Sequence, residues 1–143
     1  MKYFTPKEFR GWYIYLSESF KLKLDAFREE LGYPVHISPA SGAIGRHAGK
    51  HTSRHNVDRY GVLEALDVMP EVIEPERWIA AAKKVGLTGI GFYPDWKPQP
   101  GIHIDDRGGR LATWGGVRNT PKSRQRYVSL RHALNKYKAN QDD

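Results

Sequence analysis

Between Leu16 and Leu31 the apolar residues Leu16, Phe20, Leu24, Phe27 and Leu31 recur at intervals of four, four, three and four, the period of one face of an α-helix. No other stretch limits the fold so tightly, because a helix with one such stripe must bury it against a second layer. Gly32 supplies its C-terminal stop. The chain beyond Gly32 differs in kind: short apolar runs at residues 33–38, 62–68, 89–93 and 102–106, separated by Gly, Pro, Ser and His, read as strands. Pro34 limits the first to an edge or a strand start, and the Pro-rich interval between the last two suits a hairpin. Glu74-Pro75-Glu76 opens a second helix whose inner face is Trp78, Ile79, Ala82 and Val85 and which stops at Gly86. Upstream, Thr5-Pro6-Lys7-Glu8 has the form of a capping box with proline at the first helical position, a short helix turning Phe9 and Trp12 inward. The last element, residues 123–139, reads as a basic amphipathic helix. Tyr127, Leu130, Leu134 and Tyr137 share its docked face, and Lys122, Arg124, Arg126, Lys136 and Lys138 lie largely elsewhere.

Helices, then a small antiparallel sheet with flanking helices, make this an α+β fold in a single domain, residues 1–143. A chain of this length buries a working core without staples. It has no cysteine, which excludes thiolate nucleophiles, disulfide frameworks and Cys-type zinc modules together. No apolar run approaches the roughly 20 residues that span a bilayer, and Met1-Lys2-Tyr3-Phe4-Thr5-Pro6 lacks the apolar core of a signal peptide.

Residues 39–61 form a long Gly/His/Ser/Arg segment, and loops of that length usually carry function. His55 lies in it, Asp67 ends an apolar strand, and His103 sits in the alternating run Ile102-His103-Ile104-Asp105. Two imidazoles and one carboxylate from separate segments, with a fourth position open, form the ligand set of a catalytic zinc. Asp105 points to the same strand face as His103 and is the candidate proton acceptor beside such a metal. Each residue also has an ordinary reading. His55 can be a surface histidine, Asp67 can cap the turn at Met69-Pro70, and Asp105 can pair with Arg107 or Arg110. His51 and His55, four apart, form an alternative metal pair if that segment is helical. His36 reads as an exposed or satisfied strand residue, and His47 and His132 have no evident partners.

The order Ser53-Arg54-His55, Ala65-Leu66-Asp67-Val68, Gly89-Ile90-Gly91-Phe92-Tyr93-Pro94, then Ile102-His103-Ile104-Asp105 with Arg107-Gly108 and Trp114, resembles the peptidase M15 family. These are zinc D-alanyl-D-alanine carboxypeptidases and L-alanyl-D-glutamate endopeptidases of peptidoglycan, many of them phage lysins, sharing their metal site with hedgehog-type domains. Phe4-Thr5-Pro6-Lys7-Glu8-Phe9 and Leu31-Gly32-Tyr33-Pro34-Val35 match the usual lead-in, so the likeness runs over residues 4–114. It implies a hedgehog/D-Ala-D-Ala peptidase-like fold, Zn2+ on His55, Asp67 and His103, and an arginine shortly after Ser41-Gly42 that holds the substrate carboxylate. Arg46 takes that place, with Arg54 as the alternative; a guanidinium fork suits a carboxylate bidentately. Three departures stand out, one being that residues 41–53 lack the family's usual spacing, which keeps His51 in play as a ligand. Twelve positions separate His55 from Asp67, so residues 56–61 look like an insertion beside the site. The acid usual just before the last histidine is missing from Pro98-Gln99-Pro100-Gly101-Ile102, which leaves its role to Asp105, Asp95 or Glu64, or leaves the site without turnover.

The function expected is therefore a zinc metallopeptidase cutting the stem peptide of peptidoglycan, with Tyr93 and Trp96 forming part of the substrate groove. It would be phage-encoded, made in the host cytoplasm and released to the wall, or carried in the virion. A net charge of +7 favours an anionic wall or membrane as a further partner. The alternative is a metal-binding structural or wall-binding module of the same fold. Specific nucleic-acid binding through residues 114–126 and the last helix ranks third, since no recognised nucleic-acid motif is present.

Overall fold

The structure is a computed structural model, described here for residues 1–142. Its elements in chain order are α1 (Glu18–Leu31), β1 (Val35–Ile37), α2 (Val57–Tyr60), β2 (Ala65–Pro70), α3 (Pro75–Lys84), β3 (Gly89–Tyr93), β4 (Gly101–Asp105), β5 (Ala112–Val117), β6 (Arg126–Val128) and α4 (Leu130–Asp142). The six strands form one sheet in the order β1-β2-β4-β3-β5-β6. All pairs are antiparallel except β3 with β5. The fold is α+β.

The stripe on α1 folds as its spacing requires. Ser17 caps the helix by accepting from the Phe20 N–H at 3.1 Å, Phe20, Leu24, Phe27 and Leu31 are buried, and Gly32 ends it at φ +80°, where a side chain would strain the backbone. On α3, Trp78 is fully buried, donates to the Val72 carbonyl at 3.0 Å, and packs edge-on against Phe92 of β3. Tyr137 of α4 also packs edge-on with Phe92. The helices thus bury one face of the sheet, carried by Leu66, Val68, Ile90, Phe92, Ile102 and Ile104. Strand alternation sends Asp67, His103 and Asp105 to the opposite face.

Several elements differ from expectation. The opening Pro6–Phe9 turn is 3-10, with Glu8 accepting from the Thr5 N–H at 2.6 Å; Phe9 is buried and Trp12 half-buried. The strand expected over 62–68 occupies Ala65–Pro70. The loop at 39–61 has structure of its own: the short helix α2 and a parallel bridge between Arg46 and Asn56. The helix expected over 123–139 begins only at Leu130, where Ser129 Oγ accepts from the His132 N–H at 3.0 Å. Before it, Arg126–Val128 pairs with β5, a strand with little sequence signature. Tyr127 is consequently not on the docked stripe but 74% exposed.

Candidate metal centre

Cross-strand register lays the site out in two adjacent rows. One aligns Asp67 on β2, His103 on β4, Gly91 on β3 and Trp114 on β5; the other aligns Ala65, Asp105, Gly89 and Ala112. The two glycines make room for their neighbours. A Cβ on Gly89 would collide with the Asp105 carboxylate, and one on Gly91 with the Trp114 indole. His55 arrives from the loop before α2, tied down through its backbone: its carbonyl accepts from the Arg46 N–H at 2.8 Å.

The three expected ligands meet. His55 Nε2 lies 3.1 Å from Asp67 Oδ1 and 3.2 Å from His103 Nδ1, and His103 Nδ1 lies 2.9 Å from Asp67 Oδ1. All three residues are buried. The far side of each ring decides what these atoms are. His55 Nδ1 donates to the Ile44 carbonyl at 2.6 Å, and an amide oxygen can only accept, so the neutral ring turns the Nε2 lone pair inward. His103 Nε2 faces Asp105 Oδ2 at 2.7 Å, so its proton is held there and the Nδ1 lone pair also turns inward. With the Asp67 oxygen, three lone pairs converge on one point. Such an arrangement needs a shared proton or a cation between the donors. Tetrahedral zinc at about 2.0–2.2 Å from each donor would set them roughly 3.3 Å apart, close to the spacing observed. The group can hold a metal ion.

Asp105 occupies a different place from the one expected of a proton acceptor. It is fully buried behind His103, and Arg107 grips it from the other side, Nε to Oδ1 at 2.9 Å and Nη2 to Oδ2 at 2.7 Å. Burial alone would raise its pKa, but the hydrogen bonds from Arg107 and His103 outweigh that and hold the carboxyl well below its usual range. A carboxylate so placed orients a ligand imidazole and raises its basicity. The pairing with Arg107, the ordinary reading of this residue, is the one the structure adopts, and it serves the metal group from behind.

The group opens into a cleft of about 810 Å³. Tyr93 and Trp96 line it as expected, stacked at 4.1 Å between ring centres. Arg46 lines it too, its Nε donating to the Gly42 carbonyl at 3.0 Å, and it also borders a second hollow of about 510 Å³ that includes Asp67. His51 stands on the cleft wall outside the ligand triangle, Nδ1 accepting from the Ser53 N–H at 3.0 Å, in a segment without helix. The other candidate acids are committed elsewhere. Asp95 is held by Lys136 at 2.6 Å and by the Arg118 N–H at 2.7 Å. Glu64 accepts from Ser17 at 2.7 Å. His36 is exposed opposite Glu71, and His47 pairs with Asp58 at 2.8 Å.

One pair escaped the sequence reading. Trp114 donates from Nε1 to Tyr93 Oη at 2.7 Å, and its ring stands 5.2 Å from that of His103. The signal was available in Gly89-x-Gly91 set against His103-x-Asp105, because paired glycines in one strand accommodate bulky side chains on the neighbours. No protein-family model, curated protein or solved structure matches the chain.

The proton shared by the metal-free group makes a prediction. Burial disfavours charge on His103, but hydrogen bonds to Asp105 and Asp67 outweigh it and raise the ring to about 9. A raised pKa stabilises the fold fully below the ordinary imidazole value near 6.5 and ceases to do so as pH rises through 9. The chelator-treated protein should therefore lose thermal stability between those values. Uptake of a divalent cation at pH 7 should release about one proton, read by calorimetry in buffers of different ionisation enthalpy. A heat independent of the buffer would contradict the arrangement.

Proposed function

We propose that the chain is a zinc-dependent peptidase acting on the stem peptide of peptidoglycan. The observation that carries this reading is the convergence of three buried lone pairs at the floor of a cleft large enough for a peptide. The likeness of its residue order to the M15 pattern supplies the substrate. When bound there, zinc supplies a Lewis acid for the scissile carbonyl and the means to acidify a water at neutral pH.

The chain's own groups provide the rest. Tyr93 Oη accepts from Trp114, which leaves its own proton for a ligand oxygen. Burial pushes that phenol well above the ordinary tyrosine value, so it stays a donor and can stabilise charge developing on a carbonyl oxygen. Asp67 is the one acid lining the cleft among the described residues. Its Oδ1 serves both histidines, and its Oδ2 is accessible and makes no hydrogen bond among the described residues. Burial alone would raise that carboxyl, but both histidines outweigh it and hold it at about 2, so the free oxygen stays ionised and accepts a hydrogen bond from the ligand. Arg46 presents a guanidinium to a substrate carboxylate.

The charge distribution supports an anionic wall or membrane as the surface on which this happens. Residues 1–106 contain fourteen Lys or Arg and fourteen Asp or Glu, whereas residues 107–143 contain nine and two. The excess charge thus belongs to the last quarter of the chain.

The second reading, a metal-binding module without turnover, is favoured by one observation: no acid other than Asp67 lines the cleft among the described residues. Incubating the zinc-loaded protein with purified peptidoglycan and measuring new free amino groups separates the two. Amine release that stops with chelator and returns with zinc supports the peptidase. One equivalent of bound metal with no amine released leaves the module.

A further inference from the structure

We propose that the cleft wall built by residues 51–60 is a second anion site, in which Arg54 and Arg59 recognise an acidic side chain of the ligand independently of Arg46. As a substrate determinant it deepens, and rests on, the peptidase reading.

Four arginines line the cleft, Arg46, Arg54, Arg59 and Arg107, against the single acid Asp67. They are not equivalent. Arg107 is neutralised by Asp105. Arg54 has no ion pair among the described residues, and Arg59 donates to the Lys50 carbonyl at 3.0 Å. Both sit against one ring: the Arg54 guanidinium is 4.5 Å and that of Arg59 5.7 Å from the centre of Tyr60. The ring is itself pinned, its hydroxyl donating to the Thr52 carbonyl at 2.8 Å. An aromatic face attracts each cation but does not cancel its charge, and neither guanidinium is in an ion pair among the described residues. An oxyanion entering the cleft there receives charge-assisted hydrogen bonds.

The wall is rigid before any ligand arrives. Fully buried Asn56 accepts at Oδ1 from the Ala48 and Asp58 N–H groups, and donates from Nδ2 to the Gly49 and His51 carbonyls. Its bridge to Arg46 closes the loop at its base. A preorganised site saves the ordering cost of binding.

The two arginine sites border different hollows. Arg46 borders the one containing Asp67, Asp95 and Trp96, while Arg54 and Tyr60 border another with Glu64 and Asp106. Asp106 is paired with Lys23 at 3.0 Å, whereas Glu64 accepts only from the Ser17 and Ser19 hydroxyls and keeps its charge, so an incoming anion is favoured on the cleft side of Arg54, where Asp67 is the one acid among the described residues. Arg54 lines the same cleft as His55, Asp67 and His103, so an anion held by it shares that cleft with the metal group. The ligand class that fits is a peptide carrying a side-chain carboxylate close to the bond over that group.

The test uses chelator-stripped full-length protein and two peptides, N-acetyl-Ala-Glu-Ala amide and N-acetyl-Ala-Gln-Ala amide, which differ only in the side-chain charge. Calorimetry should show the glutamyl peptide binding roughly tenfold tighter, the worth of one charged hydrogen bond. The preference should vanish in the R54Q/R59Q double variant, return in part with R54K, and persist in R46Q. Equal affinities in the native protein, no detectable binding of either peptide at millimolar concentration, or a preference that survives R54Q/R59Q would overturn the site. If the preference holds but the zinc-loaded protein cleaves neither peptide nor peptidoglycan, the anion site is supported and the peptidase reading alone fails.

Discussion

The His103→Ala variant should lose its metal while keeping its fold. Removing one of three converging donors leaves His55 and Asp67 as a bidentate remnant, and an expected drop in zinc affinity of a hundredfold or more, an order-of-magnitude figure, comes from sharing a site's binding energy among its ligands. Peptide cleavage should vanish with the metal. The fold should persist because His103 contributes to the site face of β4, whereas Ile102 and Ile104 carry its core packing. Asp105 keeps its two bonds from Arg107, so no buried charge is stranded. Metal content after dialysis, read with the circular dichroism spectrum, checks both halves. A folded variant retaining one zinc per chain would refute the assignment of the site.

The Asp105→Asn variant should weaken metal binding by about 10–100-fold, the range typical for a partner standing behind a ligand. The amide keeps the shape that fits against Gly89 but removes the charge that fixes the His103 tautomer and balances Arg107. The pattern of loss is diagnostic. Were Asp105 the proton acceptor of the reaction, turnover would collapse at unchanged zinc affinity; standing behind His103, it should shift affinity first, and saturating zinc should restore much of the activity. Zinc titrations of activity and of binding, run side by side, distinguish these outcomes.

Much of this site can be read from residue order. The α1 stripe and the β3–β4 hairpin derive from periodicity and turn residues, and the His55, Asp67 and His103 group from residue type and the resemblance of their order; the structure brings each together. Asp105 shows where that logic stops. Alternation puts it on the face of His103, but being in front of the imidazole or behind it is decided by side-chain rotamers and by which ring nitrogen turns inward, neither of which a strand pattern encodes. The C-terminal boundary failed for a related reason. Tyr127 fits a helical stripe with Leu130 and Leu134, yet β5 offers an open edge at Gly115 and Gly116, and pairing with it wins over the helix until Ser129. Ala112–Val117 itself contains two glycines, which weaken any strand signal. The arginine-lined wall at residues 51–60 depends on contacts among loop residues and has no period to betray it.

The two rows that traverse β2, β4, β3 and β5 have a consequence for how the molecule is made. Sliding β4 by a single position past its neighbours would turn Ile102 and Ile104 toward the cleft and send His103 and Asp105 into the hydrocarbon layer beneath. A cation bound by His55, Asp67 and His103 would therefore favour the correctly threaded sheet over the slipped one, since only that alignment brings the three donors together.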